Sequence, residues 1–226
     1  RTKKRIRFMK IFSLIPLRKG STRLKNKNFL KINDKPLYKY VTEQSLKSKF
    51  IDKTYISTDS DKIKIKHKKL KIISRSRSVS TNKASTEMVI DEFLRKHDCD
   101  IVVTIQATNP FLKSNQLDLA LRKFIKNDSF DCLISVVKNH HFMWKKINKD
   151  FIKPINYDYY NRPRTQDSDL NEYIENGAFY IFRKKGFLKN KNRLHGKITL
   201  FEMPKESIYE IDDKEDFQII EKLLKR

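Results

Sequence analysis

Short apolar runs alternate with segments of helical spacing along the first 137 residues of this 226-residue chain. The run DIVVTIQ is the most strand-like of them, whereas SNQLDLALRKFIKN has the spacing of an amphipathic helix. The predicted strands cover residues 10–17, 53–59, 69–74, 100–106 and 132–137, and the predicted helices cover 36–50, 85–97 and 114–127. This alternation predicts an α/β fold in which helices cover both faces of a mostly parallel sheet.

Several residues mark where the predicted helices begin. Pro36 suits the first turn of the first helix, and Ser85 lies at the expected N-cap of the second. Asp213 lies near the N-cap of a predicted closing helix. A polar helix is expected to join the second and third strands, and two further strands are expected at 176–183 and 197–204.

Polar and charged residues follow the first four predicted strands. These residues are Arg18 to Asn28, Ser57 to Asp59, Arg75, and Gln106 to Pro110, in chain order. In an open parallel sheet these positions share one edge, and this edge is where ligands of α/β proteins bind. The pattern therefore predicts a single pocket that all four segments line.

The segment IPLRKGSTRLKNKN at 15–28 is a strongly basic loop. It is not a Walker P-loop, because Gly20 stands alone where that motif needs two glycines. Ser21 and Thr22 can offer hydroxyl and backbone N–H donors to phosphate oxygens, while Arg18 and Lys27 supply positive charge. From these residues alone, a phosphorylated small molecule, a nucleic acid backbone and solvent all remain open as the occupant.

The net charge of +24 comes from 51 Lys and Arg against 27 Asp and Glu. The basic residues are scattered rather than gathered in a stripe with interleaved aromatics, and no helix-turn-helix, zinc-finger or RNP pattern is present. Codon drift in an AT-rich genome produces this kind of composition. Most lysines are therefore interpreted as solvated surface, and a nucleic acid partner is not expected.

Neither a membrane span nor a secretory leader is expected, because no apolar run approaches about 20 residues and polar residues return at Arg18. A cytoplasmic location follows as an expectation. Residues 1–8 are expected to form a disordered basic arm ahead of one domain at 9–226. Cys99 and Cys132 lack metal-ligand spacing and are expected to be reduced.

The segment at about 138–175 is aromatic and polar without a clean period, so it is interpreted as an inserted arm that serves as a lid or a dimer contact. His140 and His141 are adjacent, and on extended chain their side chains point to opposite faces. They are therefore expected to pack in the arm, as Trp144 is, rather than to bind a metal together.

Seven segments in order resemble the CMP-sialic acid synthetases, the acylneuraminate cytidylyltransferase family. The basic loop and the stretch that follows it, DKPLYKYVTEQSLKSKFIDKTYISTD, count together as the first segment. The others are Arg75 and the segments QATNP, HHFMWK, RPRTQD, ENGAFYI and YEIDDKEDF. The resemblance covers nearly the whole chain. It implies a Rossmann-like nucleotidyltransferase fold with a protruding dimerisation arm, and homodimers.

The activity implied by the resemblance is the joining of CTP to a nine-carbon 2-keto sugar acid, which gives the CMP-sugar and pyrophosphate with Mg²⁺. Catalytic roles are implied for Arg18, Lys27 and Asp212. Nucleotide contacts are implied for Leu17, Arg18, Gly20, Ser21, Thr22, Arg23, Asn28, Arg75 and Thr86. Sugar contacts are implied for Gln106, Thr108, Asn176 and Gly177, and Mg²⁺ contacts for Glu210 and Asp212.

Chemistry and position support or extend three of these assignments. Glu210 and Asp212 are two apart, so on extended chain both carboxylates point the same way and can bind one hard cation. Asp59 ends a strand, so it either joins the nucleotide site or caps the next helix. The planar guanidinium of Arg164 suits a sugar carboxylate, with Gln166 as a neighbour.

Departures from the family pattern leave the sugar open. Ile174 and Glu175 replace the Arg-Pro that precedes Asn-Gly in sialic acid enzymes, Leu112 stands where several members have Arg, and Glu210 replaces an Asp. N-acetylneuraminate, legionaminate and pseudaminate are all open. One alternative is the related cytidylyltransferase for the eight-carbon acid KDO, and another is a basic RNA-binding or scaffold protein that keeps this fold.

Overall fold

The computed structural model describes residues 8–20, 24–164 and 171–225, which are built around a seven-stranded sheet. Its strands are β1 (Ile11–Leu17), β4 (Lys53–Thr58), β5 (Leu70–Ser74), β6 (Ile101–Ile105), β7 (Cys132–Lys138), β10 (Tyr173–Arg183) and β11 (Ile198–Glu202). Two small antiparallel pairs lie outside it, β2 (Lys31–Ile32) with β3 (Lys35–Pro36) and β8 (Trp144–Lys146) with β9 (Ile152–Pro154). The order across the central sheet is β11-β7-β10-β6-β1-β4-β5.

The sheet is mostly parallel, as predicted. β1 pairs in parallel with β4 on one side and with β6 on the other, and β5 extends the parallel set beyond β4. β10 is the exception, because it runs antiparallel to both β6 and β7. Its N-terminal end therefore lies at the same edge of the sheet as the carboxyl ends of β1, β4, β5 and β6.

Within the described residues, five α-helices connect or follow the strands. They are α1 (Leu37–Lys47), α2 (Thr86–Lys96), α3 (Ser114–Lys126), α4 (Lys184–Asn190) and α5 (Lys214–Leu224). The Ser85 hydroxyl accepts a hydrogen bond from Met88 N at 3.3 Å, and the Asp213 carboxylate accepts from Glu215 N and Asp216 N. These two residues are N-caps as predicted, and each satisfies backbone donors that the helix leaves unpaired.

The two faces of the sheet carry separate apolar clusters, because side chains alternate along each strand. In β1, Ile11 and Ile15 pack with α1 and α3, whereas Phe12 and Leu14 pack with α2 and α4. A third cluster joins α5 to the region around β2 and the start of α1. Helices therefore cover both faces of the sheet, as the alternation of elements predicts.

The polar helix expected between the second and third strands is not formed. Residues 61–66 have no regular secondary structure, and Ile63 and Ile65 are half-buried against the core while Lys62, Lys64 and Lys66 are exposed. This alternation has the period of extended chain. The prediction was wrong because the apolar residues in this lysine-rich connection recur every second position, which a helix cannot use.

The inserted arm contains the β8–β9 hairpin and a cluster of aromatic side chains. Tyr157 contacts the rings of Phe142 and Trp144, and the Arg162 guanidinium lies 5.0 Å from the centre of the Phe142 ring. His140 and His141 are both exposed. The central sheet also takes in residues 173–175, which were assigned to the arm, because they pair with the end of β7.

Cys99 and Cys132 are buried and not disulfide-bonded, as expected. Burial raises the pKa of the Cys99 thiol to about 12, so this thiol is protonated at neutral pH. Of the basic segment at 1–8, only Phe8 falls within the described residues. Over the described part of the chain, none of the helices has the length and apolar character needed to cross a membrane.

Removing one fully buried ring from α3 is expected to test the core directly. Phe124 is 0% exposed, so Phe124→Ala should lower the free energy of unfolding by about 3–5 kcal/mol. Leu119 lies on the same helix and is 52% exposed, so Leu119→Ala should change the free energy of unfolding by less than about 0.5 kcal/mol. Urea denaturation of the two variants measures both values, and equal losses would contradict the described packing of α3.

Candidate active site

A cleft of about 300 Å³ lies at the carboxyl ends of the parallel strands. Its lining residues come from the segments after β1, β5 and β6, from the start of α2 and from the segment before α5. They are Pro16, Arg18, Leu24, Lys27, Asn28, Arg75, Thr81, Asn82, Ala84, Ser85, Thr86, Val89, Gln106, Ala107, Thr108 and Asp212. The polar residues predicted after these three strands are thus brought to one pocket. Ser57 to Asp59 do not line it, so the prediction that all four segments share the pocket was wrong for the segment at the end of β4.

Arg75 is a half-buried cation that lines the cleft. Its Nε donates to the Ser57 carbonyl at 3.0 Å and lies 3.2 Å from the Ser57 hydroxyl, while its Nη2 is buried without a hydrogen-bond partner among the described residues. Burial lowers the pKa of Arg75 to about 10, although Asp59 opposes the shift. Arg75 is therefore still ionised at neutral pH, and an anion in the cleft would satisfy its free donor.

Arg18 enters the cleft from the end of β1. Its Nη1 donates to Asn82 Oδ1 at 3.1 Å, and its carbonyl accepts a 3.3 Å hydrogen bond from the buried Asn28 side chain. Leu17 precedes it with a side chain that is 0% exposed and lies in the core, so Leu17 can offer only backbone to a ligand. Gly20 is exposed, and a Cβ there would meet open space.

The start of α2 forms another wall of the cleft. Thr86 is the first residue of the helix, and Ser85 and Asn82 line the cleft beside it. A helix N-terminus carries partial positive charge and unpaired N–H groups, which favour an anionic ligand. Thr86 was predicted to contact the nucleotide, but Asn82 and Ser85 were not. The position of Ser85 as a predicted helix N-cap was a usable signal for this residue.

Lys27 and Asp212 form an ion pair across the cleft. Lys27 Nζ lies 2.9 Å from Asp212 Oδ1, and the two residues are 185 positions apart in the chain. The Lys27 side chain is 14% exposed and the Asp212 side chain 39%. The pair therefore joins the basic loop to the segment that carries both predicted metal-binding carboxylates.

Glu210 is half-buried and lies beside the cleft. Its Oε2 accepts a 3.3 Å hydrogen bond from Thr108 Oγ1, and burial raises the pKa of this carboxyl, with a smaller contribution from Asp212. Gly177 has a φ of +62°, and a Cβ there would collide with the Glu210 carboxylate. Ile211, between the two acids, is fully buried, which leaves Glu210 and Asp212 on the other side of this extended segment.

The donor set at Glu210 and Asp212 fits a Mg²⁺ ion. Mg²⁺ is typically held by one or two carboxylates together with substrate phosphates and water. Burial is the main cause of the raised pKa of Glu210, and repulsion from Asp212 adds to it, while Thr108 and Lys27 oppose the rise. A cation between the two acids would relieve this repulsion. No larger group of His, Cys, Asp or Glu suited to a metal occurs in the described parts of the chain.

The residues predicted to contact sugar are not all brought together. Gln106 and Thr108 line the cleft. The Asn176 side chain is 1% exposed and donates to Ser207 Oγ at 2.9 Å, so it holds the irregular part of β10 against the chain before Glu210. Arg164 is exposed and does not line the cleft, and Gln166 lies outside the described residues.

Other predicted nucleotide contacts fall at the basic loop. Asp59 does not line the cleft, and its Oδ1 accepts a 2.6 Å hydrogen bond from Lys19 N, so it fixes the loop after β1. Ser21, Thr22 and Arg23 lie outside the described residues. Asn109 was not predicted, yet its buried amide donates to the carbonyls of Asn176 and Ser207 and braces this side of the site.

The family model described as Cytidylyltransferase matches residues 12–226 of the chain. The chain therefore belongs to the cytidylyltransferase family, and the resemblance read from the sequence motifs is confirmed.

Two curated relatives illustrate the match. N-acylneuraminate cytidylyltransferase of Oncorhynchus mykiss is 34% identical over 222 residues, which cover 96% of this chain and 50% of that protein. Pseudaminic acid cytidylyltransferase of Campylobacter jejuni subsp. jejuni is 27% identical over 230 residues, which cover 96% of this chain and 97% of that protein. The chain thus spans about half the length of the first relative and nearly all of the second.

Among solved structures, the fold matches CMP:2-keto-3-deoxy-manno-octonic acid synthetase complexed with CTP. The TM-score is 0.67 at 17% sequence identity, and the match covers 95% of this chain and 98% of that one. At this identity the likeness shows the fold, which is the Rossmann-like nucleotidyltransferase fold expected from the sequence.

The buried Glu210 carboxyl gives the ligand-free protein a specific pH dependence. Its pKa is raised above the ordinary 4.5, so the unfolded chain loses this proton first and stability falls as the pH rises from 4.5 through the raised pKa. Glu210→Gln removes the free-energy cost of ionising this carboxyl in the folded protein. The variant should therefore be more stable than the parent protein at pH 7, and the difference should shrink below pH 4.5.

Thermal unfolding of both proteins at pH 4 and pH 7 measures this difference. Glu202→Gln is the control, because Glu202 is an exposed residue on the edge strand β11. A gain in stability from Glu210→Gln that is the same at both pH values would show that the Glu210 carboxyl does not ionise at a cost in the fold.

Proposed function

We propose that this protein joins CTP to a nine-carbon 2-keto sugar acid and releases pyrophosphate. The observation that carries the proposal is a cleft in which Arg18, Arg75 and Lys27 face the carboxylate of Asp212, with Glu210 beside it. Such a site provides cations for a triphosphate and carboxylates for the divalent ion that accompanies it. The sugar class is supported by relatives named for N-acylneuraminate and pseudaminic acid.

In the proposed reaction the oxygen of the sugar's anomeric hydroxyl attacks the α-phosphorus of CTP in line. A new P–O bond forms, the bond from the α-phosphorus to the bridging oxygen of the β-phosphate breaks, and pyrophosphate leaves. The hydroxyl proton is released to solvent or a nearby base. The protein's part is to hold the two reactants and stabilise the charge that develops on phosphate oxygens.

The basic side of the cleft would bind the nucleotide. Arg75 offers its buried free donor to a phosphate or base oxygen, and Arg18 approaches the same space from β1. The N-terminus of α2 with Thr86 adds partial positive charge, and the loop residues Gly20, Ser21, Thr22, Arg23 and Asn28 remain proposed nucleotide contacts. Lys27 would exchange its partner Asp212 for a phosphate oxygen when CTP binds.

The opposite end of the cleft, at β6 and β10, would bind the sugar acid. Gln106 and Thr108 offer hydrogen-bonding groups there, and Gly177 leaves room for the Glu210 carboxylate. Asn176 would act indirectly by fixing the backbone of β10. Arg164 and Gln166 stay proposed sugar contacts from the arm.

Glu210 and Asp212 would hold Mg²⁺, with Thr108 orienting Glu210. When bound, the ion would neutralise phosphate charge and lower the pKa of a coordinated hydroxyl group. The chain's own contribution is to keep the two carboxylates on one side of an extended segment, with Ile211 anchored in the core.

We also propose that the protein works as a homodimer in the cytoplasm, without a nucleic acid or membrane partner. The arm exposes large apolar side chains, among them Trp144, Phe151 and Tyr160. An exposed apolar surface of this kind suits contact with a second copy.

Pyrophosphate release tests the proposal. The protein with Mg²⁺ is combined with CTP, ATP, GTP or UTP and with N-acetylneuraminic, legionaminic, pseudaminic or KDO acids. Release with CTP and a nine-carbon acid is the expected result. Release with KDO alone would move the protein to the alternative suggested by its structural neighbour, and no release from any pair would overturn the proposal.

Two variants of neighbouring acids complete this test. Asp212→Asn removes the charge that faces Lys27 and should lower kcat by more than about 100-fold, because transition-state charge is no longer neutralised. Asp213→Asn makes the same change at a helix N-cap, where Asn serves as well as Asp. The latter variant should keep kcat within about threefold, and equal losses in the two variants would argue against a site at Asp212.

A further inference from the structure

A row of four side chains lies next to the cleft, on the side of the sheet away from Arg75. It consists of Glu87, Arg193, Tyr180 and Glu175, and it runs from the first turn of α2 to the start of β10. β10 lies next to β6 on the side opposite β1, β4 and β5, and its N-terminal end is at the cleft edge of the sheet. Glu175 is therefore placed beyond Gln106 and Thr108.

Each member of the row contacts the next. Arg193 Nη1 lies 2.8 Å from Glu87 Oε1, and the Arg193 guanidinium is 4.3 Å from the centre of the Tyr180 ring. The Tyr180 hydroxyl donates a hydrogen bond to Glu175 Oε1. Positive charge thus alternates with negative charge along the row, and the Tyr180 ring separates Arg193 from Glu175.

The row is most buried at Tyr180 and more exposed at both of its ends. Tyr180 is 3% exposed, and Arg193 Nε is buried without a hydrogen-bond partner among the described residues, whereas Glu175 is exposed. Burial raises the pKa of Tyr180, so its hydroxyl stays a donor at neutral pH. The buried residues of the row, Tyr180 and Arg193, hold the Glu175 side chain in place. Glu175 Oε2 accepts no hydrogen bond from the described residues.

Glu175 also lies near the acidic end of the cleft. Gly177, two residues further along β10, lies against the Glu210 carboxylate, so the chain at Glu175 approaches the acidic end of the cleft. A carboxylate accepts hydrogen bonds and donates none. A ligand group placed against Glu175 must therefore be a donor, such as a hydroxyl, an amide N–H or a protonated amine.

We propose that Glu175 is a specificity-determining residue, which selects sugar acids that present a hydrogen-bond donor at the β10 end of the cleft, and that Tyr180 and Arg193 position it. The proposal rests on the proposed function, since it concerns the sugar acid of that reaction. It assigns Glu175 to the sugar acid alone, with no part in binding CTP.

Two substitutions at Glu175 weaken or remove its hydrogen-bond acceptor. Gln keeps a neutral acceptor oxygen, and Leu keeps similar bulk without an acceptor. The KM for the sugar acid should rise about fivefold in Glu175→Gln and about 20-fold in Glu175→Leu, since bonds to charged acceptors are the stronger ones. The KM for CTP should stay within about twofold in both variants.

Tyr180→Phe removes the hydroxyl that holds Glu175. It should raise the KM for the sugar acid, as the Glu175 substitutions do. The double variant Tyr180→Phe/Glu175→Leu should have a KM for the sugar acid no higher than that of Glu175→Leu alone. Glu202→Gln is the matched control on the exposed edge strand β11. Thermal unfolding midpoints of all variants identify any loss that comes from destabilisation of the buried Tyr180 site.

The assay uses pyrophosphate release with CTP, Mg²⁺ and either N-acetylneuraminic or pseudaminic acid. A rise in KM for the acid in the order parent, Gln, Leu supports the proposal. An unchanged KM for the acid, or equal rises for the acid and CTP, overturns it while leaving the proposed function intact. Absence of turnover by the parent protein with these two acids and with legionaminic acid overturns both.

Discussion

The parallel pairing of β1 with strands on both of its sides is the constraint on which the site depends. β1 is hydrogen-bonded to β4 and β6. The chain leaves β1 through α1 towards β4, whereas it leaves β5 through α2 and returns to the sheet at β6, on the other side of β1. A crevice forms at such a point because neighbouring loops diverge. Arg18 leaves β1 there, and the ends of β5 and β6 bring Arg75 and Gln106 to the same crevice.

Charges of opposite sign are concentrated at two ends of this crevice. Arg18 and Arg75 lie on the β1–β5 side, and Glu210 lies on the β10 side with Thr108 and Gly177. Lys27 and Asp212 join the two ends through their ion pair. Among the described residues Arg75 Nη2 has no hydrogen-bond partner, and burial and Asp212 raise the pKa of Glu210. Under the proposed function a nucleotide would supply the anion, and its divalent ion would supply the cation.

Local pattern was enough to predict the sheet, most of its helices and the edge of the sheet at which the cleft lies. Strand alternation and caps such as Ser85 and Asp213 depend on neighbouring residues, so the sequence carries them directly. The connection after β4 was misjudged because its lysines hid a period of two. The row from Glu87 to Glu175 and the burial of Asn176 depend on contacts between distant segments, which no local pattern encodes.

Calorimetric titration with CTP tests most directly whether the cleft is a nucleotide site. Arg75→Lys keeps the charge but loses the planar fork with its buried donor, whereas Arg77→Lys makes the same change at an exposed residue two positions away. The account predicts that Arg75→Lys weakens CTP binding at least about tenfold and that Arg77→Lys leaves it within about twofold. Equal affinity in the parent protein and Arg75→Lys, or no binding by the parent, would contradict it.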